Sequence, residues 1–414
     1  MKFLLVVSIF ALNICFASES YLITVKNMSR FQEQTKGFMY KNLNLKNANV
    51  VQFFGNKSNL DDLRNKSDEI IRIEKDVDLK LLSDSSSLDN LFGKQWHLEN
   101  TGLNSRTTII VPGVKGEDID IKKAWQITKG SSDIIVAVID SGADLNHPDL
   151  KDNLWINTTE ENGLPGIDDD NNGYVDDIYG YDFINDDNDP TDDNGHGSHC
   201  SGIIGAVHGN NGIMGVMGNV KIMALKFIPE NGIGKMFAVL KAIDYAIEKG
   251  AKVMSNSWGG APKESVLFDL LKVASEKGII IINAAGNNSL DAERFPMYPA
   301  SYDIPGNMSI GATMGRGSRA RFSNYGVTSV DVFAPGQNIF STWKNGTHKK
   351  KSGTSMAAPI VSGMAGLALS IDPNLTPEAL RYLIIESSEE LKELRNLSIG
   401  GRVNAHQLLE AVRN

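Results

Sequence analysis

The chain has 414 residues, of which 41% are hydrophobic, 22% charged and 7% aromatic. This composition is ordinary for a soluble enzyme and excludes whole-chain disorder, and the length allows one to three domains. The formal net charge of −9 is concentrated in one stretch, because residues 167–194 contain eleven Asp and no Lys, Arg or Glu. Acids and bases are nearly balanced elsewhere, and without a basic tract no nucleic-acid partner is expected.

The first 17 residues are typical of a secretory signal peptide. Lys2 precedes an apolar stretch at residues 3–16, and Ala17 offers a small residue for cleavage. A membrane-spanning helix needs about 20 apolar residues, so no membrane span is expected here or later in the chain. A buried strand, a membrane anchor and lipidation at Cys15 are the alternatives. We therefore expect a secreted protein, extracellular or periplasmic, in which Cys200 is the one remaining cysteine.

Residues 18–82 predict a small, separate α+β domain. Three strand-like segments, at residues 21–25, 50–54 and 70–73, are separated by polar, Lys-rich stretches. A Ser-rich segment then breaks the pattern, so residues 83–94 are interpreted as an exposed linker and processing region. Residues 95–414 form the main domain.

The main domain has the pattern of an α/β fold. Short apolar runs alternate with amphipathic helical stretches, as in a parallel sheet covered by helices on both faces. Gly250 and Gly278 follow the two clearest helices as caps. We predict a three-layer α/β fold with a mainly parallel central sheet. The predicted strands include residues 134–139, 220–225, 253–256 and 279–283, and the predicted helices include residues 237–248 and 266–277.

Three segments of the main domain carry candidate catalytic residues. VAVIDSG ends a buried strand at Asp140, NGHGSHCSG contains His196, and SGTSMAAP opens an apolar helix at Ser355. Each is weak evidence alone, since an Asp at a strand end often caps a turn and Ser commonly caps a helix. Together they supply a nucleophile, a base and a carboxylate to orient the base.

These motifs, in the order Asp, His, Ser, resemble those of the subtilisin family of serine proteases. The resemblance covers roughly residues 95–412 and implies the three-layer subtilisin-like fold and a serine endopeptidase that works through an acyl-enzyme. Further similar segments are NHPDL at 146–150, SWGG at 257–260, AAGN at 284–287, FAPG at 333–336 and GRVNA at 401–405.

The resemblance implies roles for four residues in catalysis. Asp140, His196 and Ser355 form the triad, in which the imidazole removes the serine proton and the carboxylate orients the imidazole. Asn287 is implied as the side-chain donor of the oxyanion hole, beside the N–H of Ser355. Asn288 competes with Asn287 for that role.

The resemblance also implies how substrates bind. Ser257, Trp258 and Gly259 are similar to the edge strand whose backbone pairs with an extended substrate, so protein or peptide substrates are expected. Cys200, four residues after His196, resembles the thiol of the branch that includes proteinase K, and we expect it to be structural. His199 is expected to be structural too.

The acidic stretch contains a candidate calcium loop. Residues 168–173 read D-x-D-x-N-G, the opening of an EF-hand-like loop, although its twelfth position is Tyr179 instead of Glu. A solvated acidic loop is the alternative to a structural Ca²⁺ site. The resemblance suggests a second calcium site at Asp149 and residues 210–213. The ligands of the first site are predicted among Asp168, Asp170, Asn172 and Asp176.

The same resemblance implies a function for the N-terminal domain. Residues 73–76 are similar to the end of the family's inhibitory prodomain, which implies a self-processing zymogen whose own prodomain is an intramolecular inhibitor. The processing bond is expected between about Leu82 and Gln95. We expect the enzyme to be a monomer.

Other functions are disfavoured by particular residues. A subtilisin-shaped binding protein would lack a triad residue or Asn287, and relatives that use glutamate would lack His196. An esterase would show G-x-S-x-G, whereas residues 353–357 lack the last Gly. A zinc site at His196 and His199 lacks the Glu and the helix pattern of a metalloprotease.

Overall fold

A computed structural model of the chain describes residues 19–76, 78–81, 84–85, 91–105, 112–260 and 262–414, with backbone only for residues 19, 78–81 and 84–85. The predicted signal peptide, residues 1–17, lies outside the described residues, as does part of the predicted linker, residues 83–94. The described residues divide into two compact units, one within Met1–Asn44 and Asn49–Asp76, the other within Leu45–Ala48 and Val77–Asn414.

The first unit is a four-stranded antiparallel sheet with two helices. The strand order is β2-β3-β1-β4. Ile23, Val51 and Phe53 of the sheet pack with Phe31 and Leu63 of the helices, and all five are at most 2% exposed. The elements are β1 (Glu19–Val25), α1 (Met28–Gln34), β2 (Tyr40–Asn42), β3 (Val50–Gly55), α2 (Lys57–Lys66) and β4 (Ile70–Lys75).

The second unit is built on a seven-stranded sheet, which confirms the predicted fold class. The strand order is β15-β14-β13-β11-β7-β9-β8, and every neighbouring pair is parallel. The predicted strands overlap β7, β9, β11 and β13. The strands are β5 (Asp78–Leu81), β6 (Asp84–Ser85), β7 (Gly130–Asp140), β8 (Gly180–Asp182), β9 (Asn219–Lys226), β10 (Ile233–Lys235), β11 (Val253–Asn256), β12 (Trp258–Gly259), β13 (Ile280–Ala284), β14 (Asn307–Thr313), β15 (Val332–Pro335), β16 (Ile339–Trp343) and β17 (Thr347–Ser352).

Helices cover the sheet, and one of them runs through the core. Helix α8 packs on β7, β11, β13 and β14. It is long and apolar enough to cross a membrane, but 89% of it is buried in the protein, as expected for a core helix that is apolar all round. The helices are α3 (Ile121–Ala124), α4 (Thr158–Glu161), α5 (His196–Gly205), α6 (Met236–Glu248), α7 (Ser265–Glu276), α8 (Thr354–Ile371), α9 (Pro377–Glu386) and α10 (Ala405–Arg413).

Two small antiparallel sheets lie in the same unit. β5 lies between β10 and β12, and β6 extends the hairpin of β16 and β17. The parallel strands end at one edge, where β7 finishes at Asp140, and β11 leads into Ser257. In open α/β sheets this carboxyl edge is where ligands bind, so it is the place to look for a site.

Candidate active site

Asp140 and His196 form a buried pair at the carboxyl edge of the sheet. Asp140 ends β7 and His196 begins α5, and the side chains are 0% and 1% exposed. Nδ1 of His196 lies 2.8 Å from Oδ1 and 3.0 Å from Oδ2 of Asp140. Nε2 of His196, also buried, forms no hydrogen bond within the described part of the chain. The carboxylate thus orients the ring and leaves Nε2 as the reactive nitrogen.

Ser355 lies in the first turn of α8, and Cys200 connects it to His196. Sγ of Cys200 lies 3.8 Å from Nδ1 of His196 and 3.4 Å from the carbonyl oxygen of Ser355. The Ser355 hydroxyl donates to the carbonyl of Ser257 at 2.9 Å. The fold therefore brings the three predicted catalytic residues together.

Asn287 is held by its oxygen. Its Oδ1 accepts hydrogen bonds from the N–H and the hydroxyl of Thr354, both at 2.9 Å. Its amide nitrogen has no partner among the described residues and can donate to an oxyanion beside Ser355. Asn288, by contrast, is exposed and contributes its backbone N–H to Asn324. This geometry favours Asn287 over Asn288 as the oxyanion donor.

The pKa values around the pair follow from burial and charge. Burial lowers the pKa of His196, but the adjacent Asp140 carboxylate outweighs burial and raises it above its ordinary value. Burial lowers the pKa of His199, whose Nε2 contacts the carbonyls of Ile339 and Lys349 at 3.1 and 3.0 Å. Burial raises the pKa of the Cys200 thiol. His199 and Cys200 thus have the uncharged, enclosed environment of structural groups.

A second acidic residue, Asp192, supports the pair and was missed by the sequence analysis. It is 4% exposed. Its Oδ1 accepts from the Ser141 hydroxyl at 2.8 Å and the Gly195 N–H at 2.7 Å, and its Oδ2 accepts from the Ser198 N–H and hydroxyl at 2.8 and 2.6 Å. Asp192 therefore joins the neighbour of Asp140 to the first turn of α5.

Comparison with known proteins identifies the chain. A model of the subtilase family matches residues 131–402. The chain belongs to the subtilase family. The match spans the described strands and helices that carry Asp140, His196, Asn287 and Ser355.

Named relatives of this subtilase come from parasites and bacteria. Subtilisin-like protease 1 of Plasmodium berghei is 31% identical over 301 residues, 67% of this chain and 49% of that protein. Subtilisin-like protease 1 of Plasmodium falciparum is 36% identical over 281 residues, which are 63% of this chain and 41% of that protein. Thermitase of Thermoactinomyces vulgaris is 34% identical over 297 residues, 71% of this chain and 94% of that protein. The subtilase thus spans about half the length of the Plasmodium proteins.

The predicted substrate strand of this subtilase is paired with the chain's own residues. In β12, Trp258 is opposite Leu81 and Gly259 is opposite Lys80. The Ser257 hydroxyl donates to the carbonyl of Ser355 at 2.9 Å, which ties the strand to the nucleophile. Trp258 is fully buried, with its ring edge-on to Phe227 at 5.2 Å. An extended segment thus lies along the strand as a peptide would.

In the acidic stretch, the structure adds Glu160 to the predicted ligands. Oxygens of Glu160, Asp168 and Asp170 lie within 4.8 Å of one another. Glu160 is 3% exposed, and its carboxylate accepts the N–H groups of Asp170 and Asp176 at 3.0 Å. Carboxylate oxygens are the hard ligands that Ca²⁺ prefers, so this donor set suits the ion.

The other predicted ligands of that loop have different partners. Oδ1 of Asn172 accepts the N–H of Tyr174 at 2.6 Å, and Oδ2 of Asp176 accepts the N–H of Gly166 at 2.8 Å. At the suggested second calcium site, the Asp149 carboxylate accepts from Asn210, Ile213 and His348 at 2.8–3.0 Å. The second site stays a prediction.

Proposed function

We propose that the protein is a serine endopeptidase that hydrolyses peptide bonds of protein substrates through an acyl-enzyme. The observation that carries the proposal is the buried Asp140–His196 pair, joined through Cys200 to Ser355 at the start of a helix. His196 takes the proton of Ser355 as the hydroxyl attacks, then gives it to the leaving amine. The Asn287 amide and the N–H of Ser355 stabilise the oxyanion.

Ser355→Ala tests this function. We expect casein hydrolysis by purified protein to fall by at least about 10³-fold, because the nucleophile is lost. Ser362→Ala is the matched control, since Ser362 is buried on the same helix and hydrogen-bonds to Ser255 at 2.9 Å. Casein hydrolysis by Ser355→Ala at the rate of Ser362→Ala would contradict the proposal.

We propose that residues 18–82 are an inhibitory prodomain that the enzyme removes itself. The support is the antiparallel pairing of β5 with both β10 and β12, next to Ser355, which mimics substrate binding by strand addition. β6 then pairs with Lys351 and Ser352, shortly before the nucleophile in the chain. The processing bond is therefore expected within the short stretch from Leu81 to Asp84.

Expression of the full chain tests the processing. Wild type is expected to yield a mature protein whose N-terminus, read by Edman sequencing or mass spectrometry, lies within residues 82–84. Ser355→Ala should keep its N-terminal domain. A mature wild-type protein that begins outside that stretch, or processing of purified Ser355→Ala at the wild-type rate, would contradict self-cleavage at this place.

We propose that the mature enzyme is a secreted monomer. The signal-like residues 1–17 support export, and Cys200, the one cysteine after them, is buried and suits an oxidising compartment without needing a disulfide. Fractionation of expressing cells and size-exclusion chromatography of the product check both statements. Retention in the cytoplasm or a dimer mass would contradict them.

We propose that Ca²⁺ binds the acidic loop and stabilises it. Glu160, Asp168 and Asp170 supply clustered carboxylates, with Asn172 and Asp176 as the remaining candidates. In Ser355→Ala protein, which avoids self-digestion, millimolar Ca²⁺ should raise the Tm over the value in EGTA. Asp168→Asn should lose most of that increase, and Asp189→Asn, an exposed residue outside the cluster, should keep it. An equal Tm with and without Ca²⁺ would contradict the site.

A further inference from the structure

Two lysine side chains of β17 converge on one indole ring. The Nζ atoms of Lys349 and Lys351 lie 4.4 and 5.2 Å from the centre of the Trp343 ring. Alternate residues of a strand point to the same face, so both lysines lie on the face that carries Trp343. The ring attracts each ammonium group, but the two positive charges repel each other, so an anion between them is favoured.

This cationic cluster borders the catalytic residues. Gly195 directly precedes His196, and a Cβ at Gly195 would lie 2.3 Å from the Trp343 ring. The same ring is edge-on to His199 at 6.2 Å. Trp343 and its two lysines therefore adjoin the cleft at the first turn of α5.

The strand register shows which part of a peptide would reach the cluster. β5 precedes β6 in the chain. β5 pairs with β12, which directly follows Ser257, the residue whose carbonyl accepts from the Ser355 hydroxyl, and β6 pairs with Lys351 and Ser352, shortly before Ser355 in the chain. If a substrate pairs with β12 and then with β17, as β5 and β6 do, the substrate residues that follow its cut bond lie along β17. In that register residue 85 is directly opposite Lys351, so a side chain there shares its face with Lys349.

The charges around Lys349 leave room for an acidic partner. Within the described residues Lys349 forms no ion pair. Asp193 already has other cationic partners. Its carbonyl oxygen accepts from Lys344, and its carboxylate lies 2.8 Å from Nζ of Lys226. A carboxylate from a bound peptide would therefore be a new partner for Lys349 and not a replacement for an existing one.

We propose that Lys349, Lys351 and Trp343 form a subsite that selects peptides with an acidic side chain on the leaving side of the cut bond, at the position of residue 85. The inference rests on the proposed peptidase function and names its substrate preference. Lys349 is half-buried and reached by solvent, so its attraction for a carboxylate weakens as salt increases.

Peptides copied from the chain test the subsite. Quenched fluorescent peptides with the sequence of residues 78–89 carry Asp, Ser or Lys at position 85, and kcat/KM is measured with enzyme purified from expression of the full chain. We expect the Asp peptide to be cleaved about tenfold more efficiently than the Lys peptide. The Ser peptide should be intermediate, and the ratio should shrink in 0.5 M NaCl (a Debye length of about 4 Å).

Two variants locate the effect. Lys349→Gln/Lys351→Gln should bring the Asp-to-Lys ratio close to one. Lys350→Gln, on the opposite face of β17, should keep the wild-type ratio. Equal cleavage of the three peptides by wild type, or a ratio that survives in the double variant, would overturn the subsite. Failure of the wild-type enzyme to cleave casein would instead overturn the peptidase function and, with it, this inference.

Discussion

Two influences oppose each other at the imidazole of His196. Burial disfavours the charged ring, whereas the Asp140 carboxylate at 2.8 Å favours it. The net effect is that the pKa of His196 is raised. The ring accepts a proton from Ser355 only when it is neutral. Activity must therefore rise with pH through the pKa of His196 and be lost below it.

Asp140→Asn tests this balance. Removing the carboxylate lowers the pKa of His196, so the acid limb of the kcat/KM profile should move to lower pH. kcat should also fall by about 10³–10⁴-fold, because the ring loses its favoured tautomer. Asp133→Asn, exposed on the same strand, should change neither. An acid limb that stays in place would contradict the assigned pair.

Asp192 is predicted to be a positioning residue. Asp192→Ala removes the acceptor of the Ser141, Gly195 and Ser198 bonds, so the first turn of α5 and His196 should shift. We expect kcat to fall at least about tenfold with little change in KM, since the substrate strand is untouched. Asp192→Asn, which keeps one oxygen, should be intermediate. A rise in KM at constant kcat would contradict this role.

Some residues of the candidate site can be predicted from the sequence, and others cannot. Asp140, His196 and Ser355 are encoded in compact motifs, because each needs particular neighbours to end a strand or begin a helix. Asp192 has no such motif, since its partners are serine hydroxyls and backbone N–H groups that meet only in the fold. Glu160 likewise lies outside the D-x-D pattern, eight positions before Asp168, in the short helix α4.

At the scale of elements, α5 depends on the glycine that precedes it. Gly195 has φ of 101°, a left-handed value that favours glycine, and its Cα faces the Trp343 ring. The motif predicted the base at the start of α5. It could not predict the ring, which comes from β16, 148 positions later in the chain.

Gly195→Ala is expected to damage both folding and catalysis. The left-handed φ costs about 1–2 kcal/mol for Ala, and contact with Trp343 adds about 1–3 kcal/mol of overpacking. Gly209→Ala is the matched control, because its φ is 86° but its Cβ would meet nothing within 4 Å. Urea unfolding in the Ser355→Ala background measures both. Equal losses in the two variants would contradict the packing argument.

The elements that the sequence predicted are the ones with a strong pattern of their own. Strands β7, β9, β11 and β13 are continuous apolar runs between helices, which is the pattern of buried parallel strands. β10 and β12 have three and two residues, and they exist through pairing with β5. Such short strands cannot be predicted from composition, because they form only by pairing with β5.

For the whole molecule, buried histidines link folding to pH. His97 is fully buried, its ring nitrogens have no partner within the described residues, and burial lowers its pKa from 6.5 to about 3. The unfolded chain takes up this proton below pH 6.5, whereas the folded protein does so only near pH 3. The stabilisation is therefore complete above pH 6.5 and is lost as the pH falls toward 3.

His97→Phe should remove that part of the pH dependence. Between pH 7 and pH 5 the free energy of unfolding of Ser355→Ala should fall by about 2 kcal/mol relative to Ser355→Ala/His97→Phe. Taking the difference cancels the other titrating groups, including buried carboxylates whose pKa values are raised. Denaturant unfolding at each pH measures it. A difference that is independent of pH would contradict the buried neutral state of His97.

The position of β5 between β10 and β12 also has a kinetic consequence. A strand that belongs to the same chain is present at an effective concentration in the millimolar range, however dilute the protein. Free substrate must compete with that tethered strand, so the uncut chain resists even a large excess of substrate. In the proposed self-processing, the first cut is then expected to be a first-order event with a half-time independent of protein concentration, and dilution alone should neither delay nor prevent activation.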